Sequence, residues 1–255
     1  DPKEIDYLYA SERALYEMPS PKLDEAALAI GSLVSELISD GSCIQTGIGA
    51  IPAAILSQLS DKNDLGMHGG LIDDAGMHLI KKGNLSGRAK TIDKELHVVG
   101  MALGSQNLYD WLSAQERVVF RGANYTHEVS VISQLDDFLS INSALEIDLY
   151  GQINAEFTGG RQLSGTGGSV DFMRAAKASK RGKSIVAMNA TAKGGSVSRI
   201  VPKVELVTAL RTDIDFVVTE FGVANLKNLP AAKRADALID IAAPEFREEL
   251  RNAPI

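Results

Sequence analysis

A short apolar run, a glycine-rich turn and a stretch with helical spacing follow one another several times along this chain. That alternation restricts what it can fold into. CIQTG, Cys43 to Gly47, is a short apolar strand that runs into the glycine turn Gly47-Ile48-Gly49-Ala50-Ile51-Pro52 and then the helical stretch IPAAILSQLS. LGMHGG precedes DAGMHLIKK, and LHVVGMALGS precedes SQNLYDWLSAQ in the same way. KSIVAM and DFVVTEFG are further buried strands by their β-branched content, FLSINSALEIDLYG reads as one long alternating stretch, and RADALIDIAAPEFREEL reads as a terminal helical region. Strands alternating with helices predict an α/β fold with a largely parallel or mixed open sheet and flanking helices.

Local punctuation agrees. Ala27, Ile30, Leu33, Val34, Leu37 and Ile38 fall on one helical face, with Asp24 as the expected N-cap and Asp40-Gly41 as the stop. Pro52 suits the first turn of the next helix, where a missing N–H costs little. Residues 1–22, ending in MPSPK, read as a linker or arm, and residues 23–255 as the folded domain.

Composition then excludes several functions. A formal net charge of -7 argues against a nucleic-acid backbone or an anionic membrane as the main partner, though it leaves room for one local basic pocket. Cys43 is the only cysteine and the histidines number four, so neither a disulfide framework nor zinc-ligand spacing is present. No apolar run reaches the length of a membrane span, and DPKEIDYLYASE lacks the basic-then-apolar order of a leader. A cytoplasmic protein is expected.

Two loops stand out, Gly47 to Pro52 and Ser164-Gly165-Thr166-Gly167-Gly168. Without Cβ atoms, their amides can converge on an oxyanion or phosphate. The first also opens a helix, whose orphan N–H groups favour negative charge. A tight turn at a strand end explains either loop alone; two at the carboxyl ends of strands favour a ligand crevice. Pro52 occupies the place of the third glycine in a dinucleotide fingerprint, Lys177 that of the first glycine in a Walker A loop, and no G-x-S-x-G elbow occurs.

With these loops, the stretches DGSCIQTGIGAIPAAI, LGSQNLYD, SINSALEIDLYGQINAE, QLSGTGGSVDFMRAA, SRIVP and VVTEFGVANL resemble the C-terminal half of the acetyl-CoA hydrolase/transferase family, in family order from about Ile5 to Leu250. The family includes 4-hydroxybutyrate and butyryl-CoA:acetate CoA-transferases. The resemblance implies two similar α/β halves with the active site between them, a CoA thioester as substrate or ligand, and no further cofactor. It implies that Gly47, Ile48, Gly49, Ala50 and Ile51 hold the thioester oxygen and line the CoA site. Gly167 and Gly168 in the SGTGG loop would make a second CoA contact, and the segment around Lys193 would hold the CoA phosphate end.

The sequence departs from the family in two ways. It contains no N-terminal half, so a partner subunit supplies one, a homo-oligomer forms, or the protein works without it. In the family pattern LG-[IV]-H-[ST]-E-M the glutamate is the nucleophile, forming an acyl anhydride and then a glutamyl-CoA thioester. Here Leu65-Gly66-Met67-His68-Gly69-Gly70-Leu71 places Gly70 at that position, and glycine has no nucleophile. Asp73 and Asp74, one turn further on, are candidates to activate water, although acids at a helix N-terminus need no catalytic role. His68 is a candidate base that the family pattern also carries beside its glutamate. Glu146, in an alternating strand, is a candidate to face the cleft or, equally, a salt-bridged strand end, and Cys43 is a small core residue. The expected function is acyl or CoA transfer by an altered mechanism. Thioester hydrolysis and a non-catalytic CoA-binding subunit are the alternatives.

Overall fold

The protein is described from a computed structural model covering residues 5–254. Residues 1–4 of the expected arm lie outside the described residues; residues 5–24 form no helix or strand. The first helix, α1 (Glu25–Ser35), starts where Asp24 accepts a hydrogen bond from the Ala27 amide at 2.8 Å. Next come β1 (Cys43–Thr46), α2 (Ala50–Ser57), β2 (Gly66–Ile72), α3 (Asp74–Lys82), β3 (His97–Ala102), α4 (Gln106–Leu112) and β4 (Val118–Phe120). Two single-turn helices, α5 (Ala123–Thr126) and α6 (Val129–Ile132), lead into β5 (Phe138–Asn142).

These strands belong to an eight-stranded sheet. Its spatial order is Gly222–Asn225, Phe216–Thr219, Lys183–Ala187, β5, β1, β2, β3, β4, and only Gly222–Asn225 runs antiparallel to its neighbour. The chain steps outward from β1 through β2 and β3 to β4, then returns to lay β5 on the other side of β1. That reversal opens a crevice at the carboxyl ends of β1 and β5, the usual ligand position in an open α/β sheet. The α/β expectation therefore holds, with flanking helices on both faces.

Side-chain alternation explains the two covered faces. Ile44 points to the layer of α1 to α3, where Ile30, Val34, Ile55, Leu56 and Leu79 are buried. Its neighbour Cys43 points the other way, among Ile132, Phe138, Phe172, Ala175 and Ala176 of α6, β5 and α7 (Ser169–Ala178). Gly31 lets α1 approach α2 closely, because a Cβ there would lie 2.9 Å from the Ala54 carbonyl.

Two stretches differ from the sequence expectation. FLSINSALEIDLYG is not one strand: the chain leaves the main sheet after Asn142, and Glu146–Asp148 enters a separate three-stranded sheet beside Ile153–Asn154 and Ile200–Val201. The Ser143 hydroxyl donates to the Ala187 carbonyl at 2.7 Å where the chain leaves the main sheet, and Asp148 accepts from the Tyr150 and Gln152 amides, which closes the turn between Glu146–Asp148 and Ile153–Asn154. The terminal helical region is interrupted at residues 241–243: α8 (Ala231–Asp240) ends before them, and Pro244 opens a 3-10 turn (Pro244–Phe246) that runs into α9 (Arg247–Asn252).

Candidate functional site

The first glycine loop leaves β1 at the crevice. Gly49 caps α2 with φ +110°, a backbone conformation that L side chains rarely adopt. A Cβ on Gly47 or Gly49 would meet nothing within 4 Å, so the loop faces open space. Ala50 and Ile51 form the first turn of α2, and their amides are among the orphans of a helix N-terminus. Beneath the loop, Gln45 and Asn142 exchange hydrogen bonds of 3.1 and 3.3 Å and tie β1 to β5.

Ile48 and Gly49 line a cavity of about 220 Å³ with Ala53, Asp73, Asp74 and Gly104. The arm forms its outer wall through Met18, Pro19, Pro21 and Leu23. It is held there by Met18 N–H to the Gly104 carbonyl (3.0 Å), Tyr109 Oη to the Tyr16 carbonyl (2.7 Å) and the Gln106 amide to Glu17 (2.9 Å).

Both aspartates of that cavity also have local duties. Asp73 N-caps α3 by accepting from the Gly76 amide at 2.9 Å. Burial raises its carboxyl above the ordinary value, opposed by that amide, and the neighbouring Asp74 charge adds to the rise. Asp74 accepts from the Ser105 amide at 2.8 Å and from its hydroxyl, which joins the start of α3 to the start of α4.

His68 lies in β2 with no exposed surface, and neither ring nitrogen has a partner among the described residues. Burial, with Lys90 nearby, pushes it down to about 4, so it is neutral near pH 7. Cys43 is also sealed in, and burial pushes its thiol up to about 12, which leaves no thiolate to react. Glu146 sits in the small sheet, bonded to Asn154 Nδ2 at 3.1 Å. Lys193 is exposed with φ +49°, in the turn between Thr191–Ala192 and Val197–Ser198, and lines neither the 220 Å³ cavity nor the one at Gly168.

Gly168 caps α7 and, with Gly167, lines a second, more open cavity of about 430 Å³ beside Ala123, His127, Glu128 and Asp171. Gly70 faces the same region, since a Cβ there would lie 3.3 Å from His127 Cε1 and Nε2 and 3.8 Å from Phe172. The structure thus gathers Ile48, Gly49, Asp73 and Asp74 around one cavity, and Gly70, Gly167 and Gly168 around His127. Sequence reasoning gave His127 no role. It stands in NYTHEV with no spacing motif, and only the fold brings it to the glycines.

Comparison with known proteins accords with this geometry. A profile described as the acetyl-CoA hydrolase/transferase C-terminal domain matches residues 104–253, more than half the chain. The 4-hydroxybutyrate coenzyme A transferase of Clostridium kluyveri is 43% identical over 252 residues, covering 98% of this chain and 59% of that protein. The butyryl-CoA:acetate CoA-transferase of Anaerostipes caccae is 41% identical over 230 residues, covering 87% and 52%. The crystal structure of RipA from Yersinia pestis superposes with a TM-score of 0.89 at 39% identity, over 93% of this chain and 54% of that one. The chain therefore spans a little over half the length of the relatives it matches. By profile, sequence and fold alike, it belongs to the acetyl-CoA hydrolase/transferase family.

Proposed function

We propose that this chain binds the thioester end of an acyl-CoA at the crevice and acts on it without a covalent intermediate at position 70. The observation that carries the reading is the loop Gly47–Ile51, whose backbone is open at the start of α2 and borders a cavity large enough to admit an acyl group. Amides directed at a thioester oxygen polarise the carbonyl and stabilise the oxyanion, a role that survives loss of the nucleophile. Gly167 and Gly168 serve as a second CoA contact, and Lys193 reaches the phosphate end. An N-terminal-half-like subunit, or a second copy of the chain, completes the cleft.

Transfer between CoA and a carboxylate is the first reading, because the relatives carry CoA-transferase names. Hydrolysis is the second. It is favoured by Gly70, which removes the acceptor of the acyl group, and by similarity to an acetyl-CoA hydrolase of Candida albicans at 29% identity.

The test is incubation with acetyl-CoA, with and without acetate, followed by hydroxylamine or borohydride and intact mass measurement. Carboxylate-dependent exchange supports transfer, and free CoA release supports hydrolysis. In either case activity survives both reagents and the 65–74 segment stays unmodified. An adduct on Asp73 or Asp74 would show that the nucleophile has moved by one turn and would overturn the non-covalent reading.

A further inference from the structure

One imidazole fills the space between two glycines that lie 98 positions apart, Gly70 and Gly168. A Cβ at Gly168 would overlap the His127 ring, and one at Gly70 would sit 3.3 Å from its Nε2. The ring therefore stands where any side chain at position 70 would project.

It is also held in place. Phe172 packs on it with ring centroids 4.5 Å apart, and Nδ1 lies 2.8 Å from Thr126 Oγ1. Thr126 Oγ1 lies 3.4 Å from the Gly122 carbonyl, an i−4 contact in which the hydroxyl can only donate. When the hydroxyl donates to that carbonyl it accepts from Nδ1–H at 2.8 Å, and in this tautomer the lone pair is on Nε2. Nε2 has no partner among the described residues, and the ring borders the 430 Å³ cavity with Gly167, Gly168, Glu128 and Asp171. An oriented imidazole with a free basic nitrogen, beside a glycine loop and two carboxylates, is equipped to accept a proton from a bound reactant.

We propose that His127 is the general base of this site and directs it towards thioester hydrolysis. The inference rests on the acyl-CoA reading above: continuing the β1–β2 register of Cys43 beside Gly66 and Ile44 beside Met67 brings Gly47 alongside Gly70, the glycine that His127 packs against, so the loop amides and the ring border one stretch of the crevice. Nε2 removes a proton from a water molecule as the water oxygen bonds to the thioester carbonyl carbon. The carbon–sulfur bond then breaks and the leaving thiolate takes the proton back from the imidazolium. The products are a carboxylic acid and CoA thiol, and His127 returns to its neutral form. Glu128, whose carboxylate caps α6 by accepting from the Ser130 amide, and Asp171 line the same cavity and give it negative charge. Thr126 is the positioning residue that fixes the tautomer.

The experiment measures free-thiol release from acetyl-CoA and butyryl-CoA by the full chain, alongside thermal stabilisation by CoA. The His127→Asn variant keeps a hydrogen-bonding side chain of similar reach, and His127→Gly opens a hole for added imidazole. The expected result is a fall in kcat of about 100-fold or more in both variants, KM changed by no more than about twofold, and partial recovery with imidazole in His127→Gly alone. Full activity in His127→Asn overturns the assignment, as does a loss expressed in KM and deaf to imidazole, which marks a packing role. An acyl adduct on His127 also overturns it, by making the ring a nucleophile. If the unaltered chain releases no thiol but CoA still stabilises it, the base assignment falls and the binding reading stands. With neither release nor stabilisation, both fall.

Discussion

Acidification from pH 7 to pH 5 should weaken this fold sharply, because two of its histidines are folded as neutral groups. His68 and His97 have no exposed surface, and burial pushes each from 6.5 down to about 4, helped by the nearby Lys90. Their folded values lie below the unfolded one, so between pH 6.5 and pH 4 the unfolded chain binds more protons. Stability is complete above pH 6.5 and is lost as pH falls towards 4. For a shift from 6.5 to about 4, the loss at pH 5 is about 2 kcal/mol per histidine, or about 4 kcal/mol for the pair. That is a large share of the total stability of a typical domain. At a urea slope of about 2–3 kcal/mol/M, the midpoint should fall by roughly 1–2 M between pH 7 and pH 5. Asp73 cannot mimic the effect, since burial raises its carboxyl and gives the opposite pH dependence. Urea titrations followed by circular dichroism at pH 7, 6 and 5 measure it, with His68→Leu/His97→Leu as the control in which most of the fall should vanish. A midpoint that does not move, or one that moves equally in the control, would refute the reasoning.

Three further outcomes are expected. Gly47→Val should abolish CoA binding in calorimetry while leaving the circular dichroism spectrum intact, because its Cβ meets nothing within 4 Å and its φ is outside the left-handed region; unchanged affinity would place the ligand elsewhere. CoA at a hundred times its dissociation constant should add about 2.7 kcal/mol to unfolding stability, and a flat melting temperature at millimolar CoA would contradict binding. Gly31→Ala should cost about 1–3 kcal/mol in urea unfolding, since its Cβ would lie 2.9 Å from the Ala54 carbonyl and must push α1 from α2; an unchanged midpoint would show that the helices do not pack this closely.

The longer helices and the buried strands were legible in the chain, because they are written in local spacing, whereas the single-turn helices α5 and α6 and the two-residue strands were not. Asp24 begins α1 and Pro52 sits in the first turn of α2. DAGMHLIKK is α3 almost to the residue, capped by Asp73 and closed by Gly83 in the left-handed region. The two glycine loops were legible for the same reason, since open backbone turns have a composition of their own. Sheet order came from long-range packing instead, with β5 returning across the chain to lie beside β1 and create the crevice. Packing also split the 138–151 run between two sheets: the Ser143 hydroxyl bonds the Ala187 carbonyl where the chain leaves β5, and Glu146–Asp148 pairs with Ile153–Asn154 and Ile200–Val201 instead. The burial of His68 and His97 beside Lys90, and the meeting of His127 with Gly70 and Gly168, join residues from separate elements. Such contacts leave no periodicity or spacing in the chain. A histidine carries the same letter on a surface turn, in a sealed core and at the mouth of a cavity, and only packing distinguishes them.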